Sequence, residues 1–216
     1  MLKSTKQMDF WKGDFGKKYT ERTTYSVKAL DEFYKKTLGQ SRNSLNREFL
    51  KGIDKNIRVL EVGCNIGQQL RHLQVSGFKN LYGVEIQWDA VEKAKKETKG
   101  INIIQGSAFD LPFKDGYFDL VFASGVLIHI APKDLPSAMR EIYRCTNKYI
   151  WGLEYYADKP TEINYRGHKG FLWKQDFAKL YLKNFSGLKL LKEKRLKYPD
   201  SGNFDTMFLL KKKNAK

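Results

Sequence analysis

Val59-Leu60-Glu61-Val62-Gly63-Cys64-Asn65-Ile66-Gly67-Gln68-Gln69-Leu70 is the stretch on which the fold turns. Residues 57–62 read as a buried strand, an alternating start that gives way to apolar residues. Gly63 and Gly67 bracket a turn. Ile66, Leu70, Leu73 and Val75 then fall at helical spacing. Strand, glycine turn, helix is the opening unit of a nucleotide-binding α/β fold.

Downstream, the same alternation continues. Strands are expected at 80–85, 101–105, 118–123 and 149–155, and helices at 88–98 and 132–145, the second opening on a proline. Alternating strands and helices imply a parallel sheet with right-handed crossovers. The last third differs. A loop at 158–170 and a helix at 174–185 lead into two strand-like runs, 188–198 and 203–210. Pro199-Asp200-Ser201-Gly202 between them predicts an antiparallel hairpin at a sheet edge. The expected architecture is α/β and Rossmann-like: seven strands, mostly parallel, with an antiparallel C-terminal hairpin and a helical N-terminal lid.

Upstream, Ser26 is placed to cap a helix through Leu38, carrying Val27, Leu30, Phe33, Tyr34 and Leu38 on its apolar face and ending at Gly39. A second helix is expected at 44–51. Residues 9–22 hold Phe10, Trp11, Phe15 and Tyr19, broken by Gly13 and Gly16, a composition that argues against regular helix and for an aromatic cap or lid. This divides the chain into lid helices at 1–52 and one globular unit at 53–216.

Composition narrows the class. The chain has 216 residues, enough for one domain with a sizeable core. No apolar run reaches the about 20 residues that span a bilayer, and Lys3 and Lys6 precede no apolar segment of a secretory signal. Two cysteines, Cys64 and Cys145, imply reduced thiols in a cytoplasmic protein. His72, His129 and His168 are scattered without metal-ligand spacing, and His72 is expected on the exposed face of its helix. Net charge is +16. A lysine-rich surface, a basic funnel for an anionic small substrate and a nucleic-acid-binding face all accommodate it. No Arg-rich cluster interleaved with aromatics favours the last. Lys211-Lys212-Lys213 and Lys216 are expected to form a solvated, frayed tail.

The turn itself excludes one ligand class. It reads Glu61-x-Gly63-x-x-x-Gly67, with Asn65 where a dinucleotide fold has its middle glycine, and no basic residue. Glu61 makes the strand end negative, which suits an ammonium or sulfonium better than a pyrophosphate. Glu85 ends the second strand, 22 residues after Gly63, where an acid takes the hydroxyls of a ribose. Ser107 and the backbone of Gly106-Ser107-Ala108-Phe109-Asp110-Leu111-Pro112-Phe113 are candidates to read an adenine edge, while Asp119 is assigned a structural role.

These residues resemble the class I S-adenosylmethionine-dependent methyltransferases over about residues 55–155, although Ser107 stands where that superfamily often has an acid. Phe10-Trp11-x-Gly13-x-Phe15-Gly16-x-x-Tyr19, Gly63-Cys64-Asn65-Ile66-Gly67, Gly125-Val126-Leu127-Ile128-His129-Ile130, Glu154-Tyr155-Tyr156 and Tyr165-Arg166-Gly167 look like the methyltransferases associated with pseudaminic acid biosynthesis. The resemblance implies S-adenosyl-L-methionine as cofactor, S-adenosyl-L-homocysteine as product, and no metal. The implied cofactor-binding set is Trp11, Tyr19, Arg22, Glu61, Gly63, Cys64, Asn65, Gly67, Gln68, Glu85, Ile86, Ser107, Ala108, Phe109, Ser124 and Gly125.

His129 follows the fourth strand, where a reaction chamber opens, and is a candidate base or a wall residue. Glu154 and Tyr155 end the fifth strand at the same rim and complete the candidate catalytic set; Tyr156, Tyr165, Arg166 and His168 are candidate acceptor contacts. A bland alternative pairs Glu154 with Arg166. The expected acceptor is a small, anionic, sugar-like molecule such as an amino sugar or nonulosonic acid derivative, methylated on nitrogen in preference to oxygen. Methylation of a nucleic acid or protein, and a non-catalytic binding role, are the alternatives.

Overall fold

The computed structural model describes residues 4–213; Lys3 and Lys216 lie outside them. Seven strands form one sheet in the order β3-β2-β1-β4-β5-β9-β8. β1 (Arg58–Val62), β2 (Asn80–Glu85), β3 (Ile101–Gln105), β4 (Phe118–Ser124) and β5 (Thr146–Tyr156) run parallel. β9 (Phe204–Lys212) lies antiparallel between β5 and β8 (Leu188–Lys197). The order reverses beside β1, so β1 and β4 diverge to open a crevice at their carboxyl ends.

Side-chain alternation along the strands builds two cores. Leu60 and Val62 of β1 and Phe208 and Leu210 of β9 face α7 (Leu135–Cys145) and α8 (Phe177–Asn184). Val59 and Met207 face the other layer, formed by α3 (Val27–Leu38), α4 (Arg42–Phe49), α5 (Gln68–Val75) and α6 (Trp88–Glu97). Leu38, Leu45, Phe49 and Leu50 pack into this second core. α3 is closed at both ends as expected: the Ser26 hydroxyl accepts from the Ala29 N–H, and Gly39 adopts φ 72°.

Several elements depart from the sequence reading. Residues 9–22 are helical after all, as α1 (Lys6–Lys12) and α2 (Asp14–Arg22). Gly13 serves as the break between them, and Gly16 permits their contact, since a Cβ there would stand 1.9 Å from the Trp11 carbonyl oxygen. α7 starts at Leu135, with Pro136 rather than Pro132 in its first turn. α4 starts at Arg42 because Ser41 caps it. Residues 173–174 form β7 (Trp173–Lys174), paired with β6 (Thr161–Glu162), and α8 begins only after the Asp176 cap.

His72 is buried, not exposed: its Nδ1–H donates to Asn43 Oδ1 at 2.9 Å, because α4 covers that face of α5. Phe33 and Val75 are exposed instead. Of the basic tail, Lys213 Nζ donates to the Ser186 carbonyl and Lys212 sits over the Tyr143 ring, so these two side chains are held against the sheet and α7 side of the molecule.

Candidate functional site

The β1–α5 turn is built around Asn65. Its φ is 48°, a left-handed conformation that asparagine tolerates. Its Oδ1 accepts from the Ile66 N–H at 2.8 Å, and its Nδ2 donates to Thr20 Oγ1 on α2, also at 2.8 Å. Its own N–H donates to Glu85 Oε2 at 2.8 Å, and Glu85 Oε1 accepts from the Gln87 N–H at 2.9 Å. Two backbone donors thus fix the Glu85 carboxylate at the end of β2. Burial raises its pKa, and these bonds oppose the rise. Gly63 (φ 72°) has no room for a side chain, because a Cβ would stand 2.7 Å from Val126 Cγ2.

An open cleft lies over this turn. It brings together Trp11, Tyr19, Glu61, Gly63, Cys64, Asn65, Gln68, Glu85, Ile86, Ser107, Ala108, Phe109, Ser124 and Gly125 of the expected cofactor set. Gly67 and Arg22 do not line it. Gly67 sits behind the turn, where a Cβ would approach Ile103 at 2.9 Å. Arg22 is exposed, its guanidinium over the Phe15 and Tyr19 rings. Ser107 is partly committed to its own loop, accepting from the Phe109 N–H at 3.2 Å.

The cleft offers more acceptors than it satisfies. Glu61 is 2% exposed with Oε2 unpartnered; burial drives its pKa well up, and Arg42 opposes the rise. Gln69 Oε1 is buried and unpartnered as well. Unpartnered buried acceptors beside a carboxylate suit a ligand rich in N–H and O–H donors and carrying positive charge. The amino group, sulfonium and ribose hydroxyls of S-adenosylmethionine have that character.

A second chamber adjoins the first. The two share Tyr19, Thr23, Gln68, Gln69, Ser124, Gly125 and His129. Tyr25, Tyr34, Tyr155, Tyr165, Tyr198, Glu154 and Asp205 line the second alone. No Lys or Arg lines either space among the described residues. The positive charge therefore lies outside these walls.

His129 stands where the chambers meet. Its ring packs against Trp11 at 4.7 Å and Tyr165 at 4.9 Å. Nδ1–H donates to the Phe171 carbonyl at 2.7 Å, which leaves Nε2 as an acceptor. Burial lowers its pKa to about 4, so the ring is neutral at physiological pH.

Glu154 does not pair with Arg166. It is buried, and its oxygens accept from the Val126 and Leu127 N–H groups at 3.1 Å and from Ile128 at 3.4 Å. Those donors open the short 3-10 turn Leu127–His129, so Glu154 holds the loop that carries His129. Burial raises its pKa to about 8 against these three bonds. Strand alternation sends Glu154 and Tyr155 to opposite faces of the sheet, yet at the strand's end both line the second chamber. Tyr156 lies away from both chambers and bonds to Asp158 and Arg195. Arg166 (φ 51°) and His168 are exposed, His168 edge-on to Phe10 at 5.0 Å and Phe15 at 5.6 Å. Asp119 has the structural role expected of it, accepting from the Arg58 N–H.

Residues that sequence reasoning missed are those joined across long separations. Thr20 accepts from Asn65 and donates to Gln87 Oε1 at 2.9 Å, locking α2 onto the turn. Thr23, whose carbonyl accepts from Gln68 Nε2, and Tyr25, whose N–H donates to Gln68 Oε1, tie the segment after α2 to Gln68 of the expected cofactor set. Asp205 on β9 carries no motif at all. Among the described residues, no cluster of three metal-ligating side chains occurs and no helix is long and apolar enough to cross a membrane.

Residues 60–149 match the methyltransferase domain family. An uncharacterized methyltransferase of Synechocystis is 34% identical over 87 residues, covering 40% of this chain and 41% of that protein. A sterol 24-C-methyltransferase of Aspergillus fumigatus is 30% identical over 99 residues, covering 43% of this chain and 26% of that protein. The chain thus spans less than half the length of these relatives. Among solved structures, 1,6-didemethyltoxoflavin-N1-methyltransferase of Burkholderia thailandensis, holding its substrate and S-adenosylhomocysteine, aligns over 99% of this chain and 93% of its own at TM-score 0.71 and 12% identity. An S-adenosylmethionine-dependent methyltransferase of Mesorhizobium loti aligns over 78% and 96% at TM-score 0.61 and 12% identity. The [4+2]-cyclase SpnF shares the fold too, over 88% and 83% at TM-score 0.63 and 15% identity. Residues 60–149 therefore resemble a methyltransferase domain, and the chain shares the fold of S-adenosylmethionine-dependent methyltransferases.

Proposed function

We propose that the protein transfers the methyl group of S-adenosylmethionine to nitrogen of a small polar acceptor, an amino sugar or nonulosonic acid derivative. One observation carries this reading: the acid-ended cleft and the phenol-lined chamber open into each other at Ser124, Gly125 and His129. A donor on one side and an acceptor on the other meet at that junction.

The cofactor supplies an activated methyl on a sulfonium. What remains for the chain is to hold, orient and exclude water. Glu85 takes the ribose hydroxyls; Glu61, Gln68 and Gln69 face the positively charged methionine end. α1 and α2 form the lid, their aromatic residues packed over His129 and Tyr165. The Nε2 lone pair of His129 accepts an N–H of the incoming amine and aims it, and Tyr155 and Tyr165 flank the acceptor. Preference for nitrogen follows from the low pKa of His129. An imidazole whose Nε2 takes up no proton above about pH 4 is a poor base for a hydroxyl, whereas a neutral amine already presents its lone pair. The similarity in shape to an enzyme named as an N1-methyltransferase agrees with this. Walls that carry acids and phenols favour a cationic over an anionic acceptor body, with Arg166 and His168 left at the rim for any carboxylate.

Release of S-adenosylhomocysteine over a panel of amino sugars, nucleotide sugars and nonulosonates tests the assignment. Turnover with amine-bearing members is expected. Turnover confined to acceptors without an amine would overturn the nitrogen assignment, and turnover with RNA or protein alone would overturn the small-molecule one.

A further inference from the structure

The acceptor chamber has an acidic end for which methyl transfer itself has no use. β5 and β9 pair with Tyr155 opposite Asp205, which puts both side chains on one face of the sheet. It is the face on which Leu153 and Met207 pack toward the α3–α6 layer. Asp205 is 7% exposed and lines the chamber. Its Oδ2 accepts from the Tyr198 hydroxyl at 3.2 Å; its Oδ1 is buried with no partner. The nearby cations do not fill the gap. Arg42 spends its guanidinium on Asn46, Tyr34 and Ser124. Lys174 donates to Asn203 and lies 5.2 Å from the Tyr155 ring centre. The Tyr155 and Tyr198 rings meet edge to face at 5.7 Å beside the carboxylate, and phenol faces attract cations.

We propose that Asp205, Tyr155 and Tyr198 form a subsite for a protonated amine of the acceptor, separate from the atom that is methylated. The proposal rests on the acceptor-chamber reading above. The separation follows from the sheet. Gly125, at the junction, donates its N–H to the Leu153 carbonyl. Asp205 lies one strand over and two residues further along from Leu153, roughly 8 Å away at ordinary strand rise and spacing. An ammonium bonded to a carboxylate has no lone pair with which to attack. It is a handle that fixes which other atom of the acceptor reaches the junction, and it selects amine-bearing molecules over their hydroxyl counterparts.

The groups facing Asp205 set its response to pH. Burial raises its carboxyl to about 7, while the Tyr198 hydrogen bond, Arg42 and Lys174 pull it down. Glu154, on the adjacent strand, is raised further, to about 8, so the negative charge resides on Asp205 first. Ammonium binding therefore strengthens as pH rises through about 7, where Asp205 loses its proton.

Calorimetric titration of the full chain with glucosamine against glucose, and galactosamine against galactose, tests the subsite, with and without S-adenosylhomocysteine. The amines are expected to bind about tenfold tighter than the sugars that lack them. Asp205→Asn should abolish that preference and leave affinity for S-adenosylhomocysteine within about twofold. Equal affinity of wild type for amine and hydroxyl partners, or a preference that survives in Asp205→Asn, overturns the assignment. Tyr198→Phe gives an independent check, because loss of its hydrogen bond moves the onset of amine binding to higher pH; an unmoved onset counts against the subsite. Failure of S-adenosylhomocysteine to bind would overturn the methyltransferase reading, while the amine preference measured without it still decides the role of Asp205.

Discussion

At the scale of single residues, Asn65 and Glu85 do the most. Asn65 supplies the left-handed turn, caps it with its own side chain and reaches Thr20 on α2. Glu85 is held by the Asn65 and Gln87 N–H groups and still has lone pairs for a ribose. Glu85→Gln keeps the shape and removes the charge. Affinity for S-adenosylhomocysteine should fall about 10- to 100-fold with little change in melting temperature, as charge-assisted hydrogen bonds lost to neutral ones predict. Unchanged affinity by calorimetry would remove Glu85 from the ribose site. The turn and both acids were legible in the sequence because their chemistry is local: a strand end, a glycine and a carboxylate at fixed spacing. Asp205 was not, since one aspartate in a strand acquires meaning only when β9 inserts beside β5.

At the scale of elements, α1 and α2 and the loop after β4 carry the function. The aromatic run reads as irregular because its glycines interrupt a helical pattern, yet Gly13 and Gly16 are what allow two short helices to pack face to face. Gly16→Ala should displace this pair, lowering nucleoside affinity by about tenfold or more while the sheet core persists in far-ultraviolet circular dichroism. Retention of full affinity would mean the lid is not part of the site.

The loop after β4 depends on Glu154, and here pH is informative. Its folded pKa of about 8 exceeds the ordinary value of 4.5, so the folded state holds a proton that the unfolded state has lost between those pH values. Stability from this group is fully present below about pH 4.5 and is lost as pH rises through about 8. Wild type should therefore lose melting temperature relative to Glu154→Gln on going from about pH 5 to about pH 9. A constant difference between the two across that range would show that Glu154 titrates normally. The sequence reading put Glu154, Tyr155 and Tyr156 at one rim of the sheet; Glu154 and Tyr155 do line the second chamber, while Tyr156 turns away to Asp158 and Arg195.

At the scale of the molecule, the five parallel strands were readable as apolar runs and the terminal hairpin from its turn. The layer to which α4 belongs, which buries His72 and Arg42, depends on contacts between segments far apart in the chain. Of the three readings open to the net charge of +16, the basic funnel finds no support in the two chambers, whose walls carry acids, amides and aromatic rings and no Lys or Arg among the described residues. A fold that also hosts a [4+2]-cyclase does not by itself establish methyl transfer. The direct test is a calorimetric titration of the full chain with S-adenosylmethionine. The account predicts saturable one-to-one binding in the micromolar range, weakened by Glu85→Gln; no heat at millimolar ligand, or binding indifferent to Glu85, would contradict it.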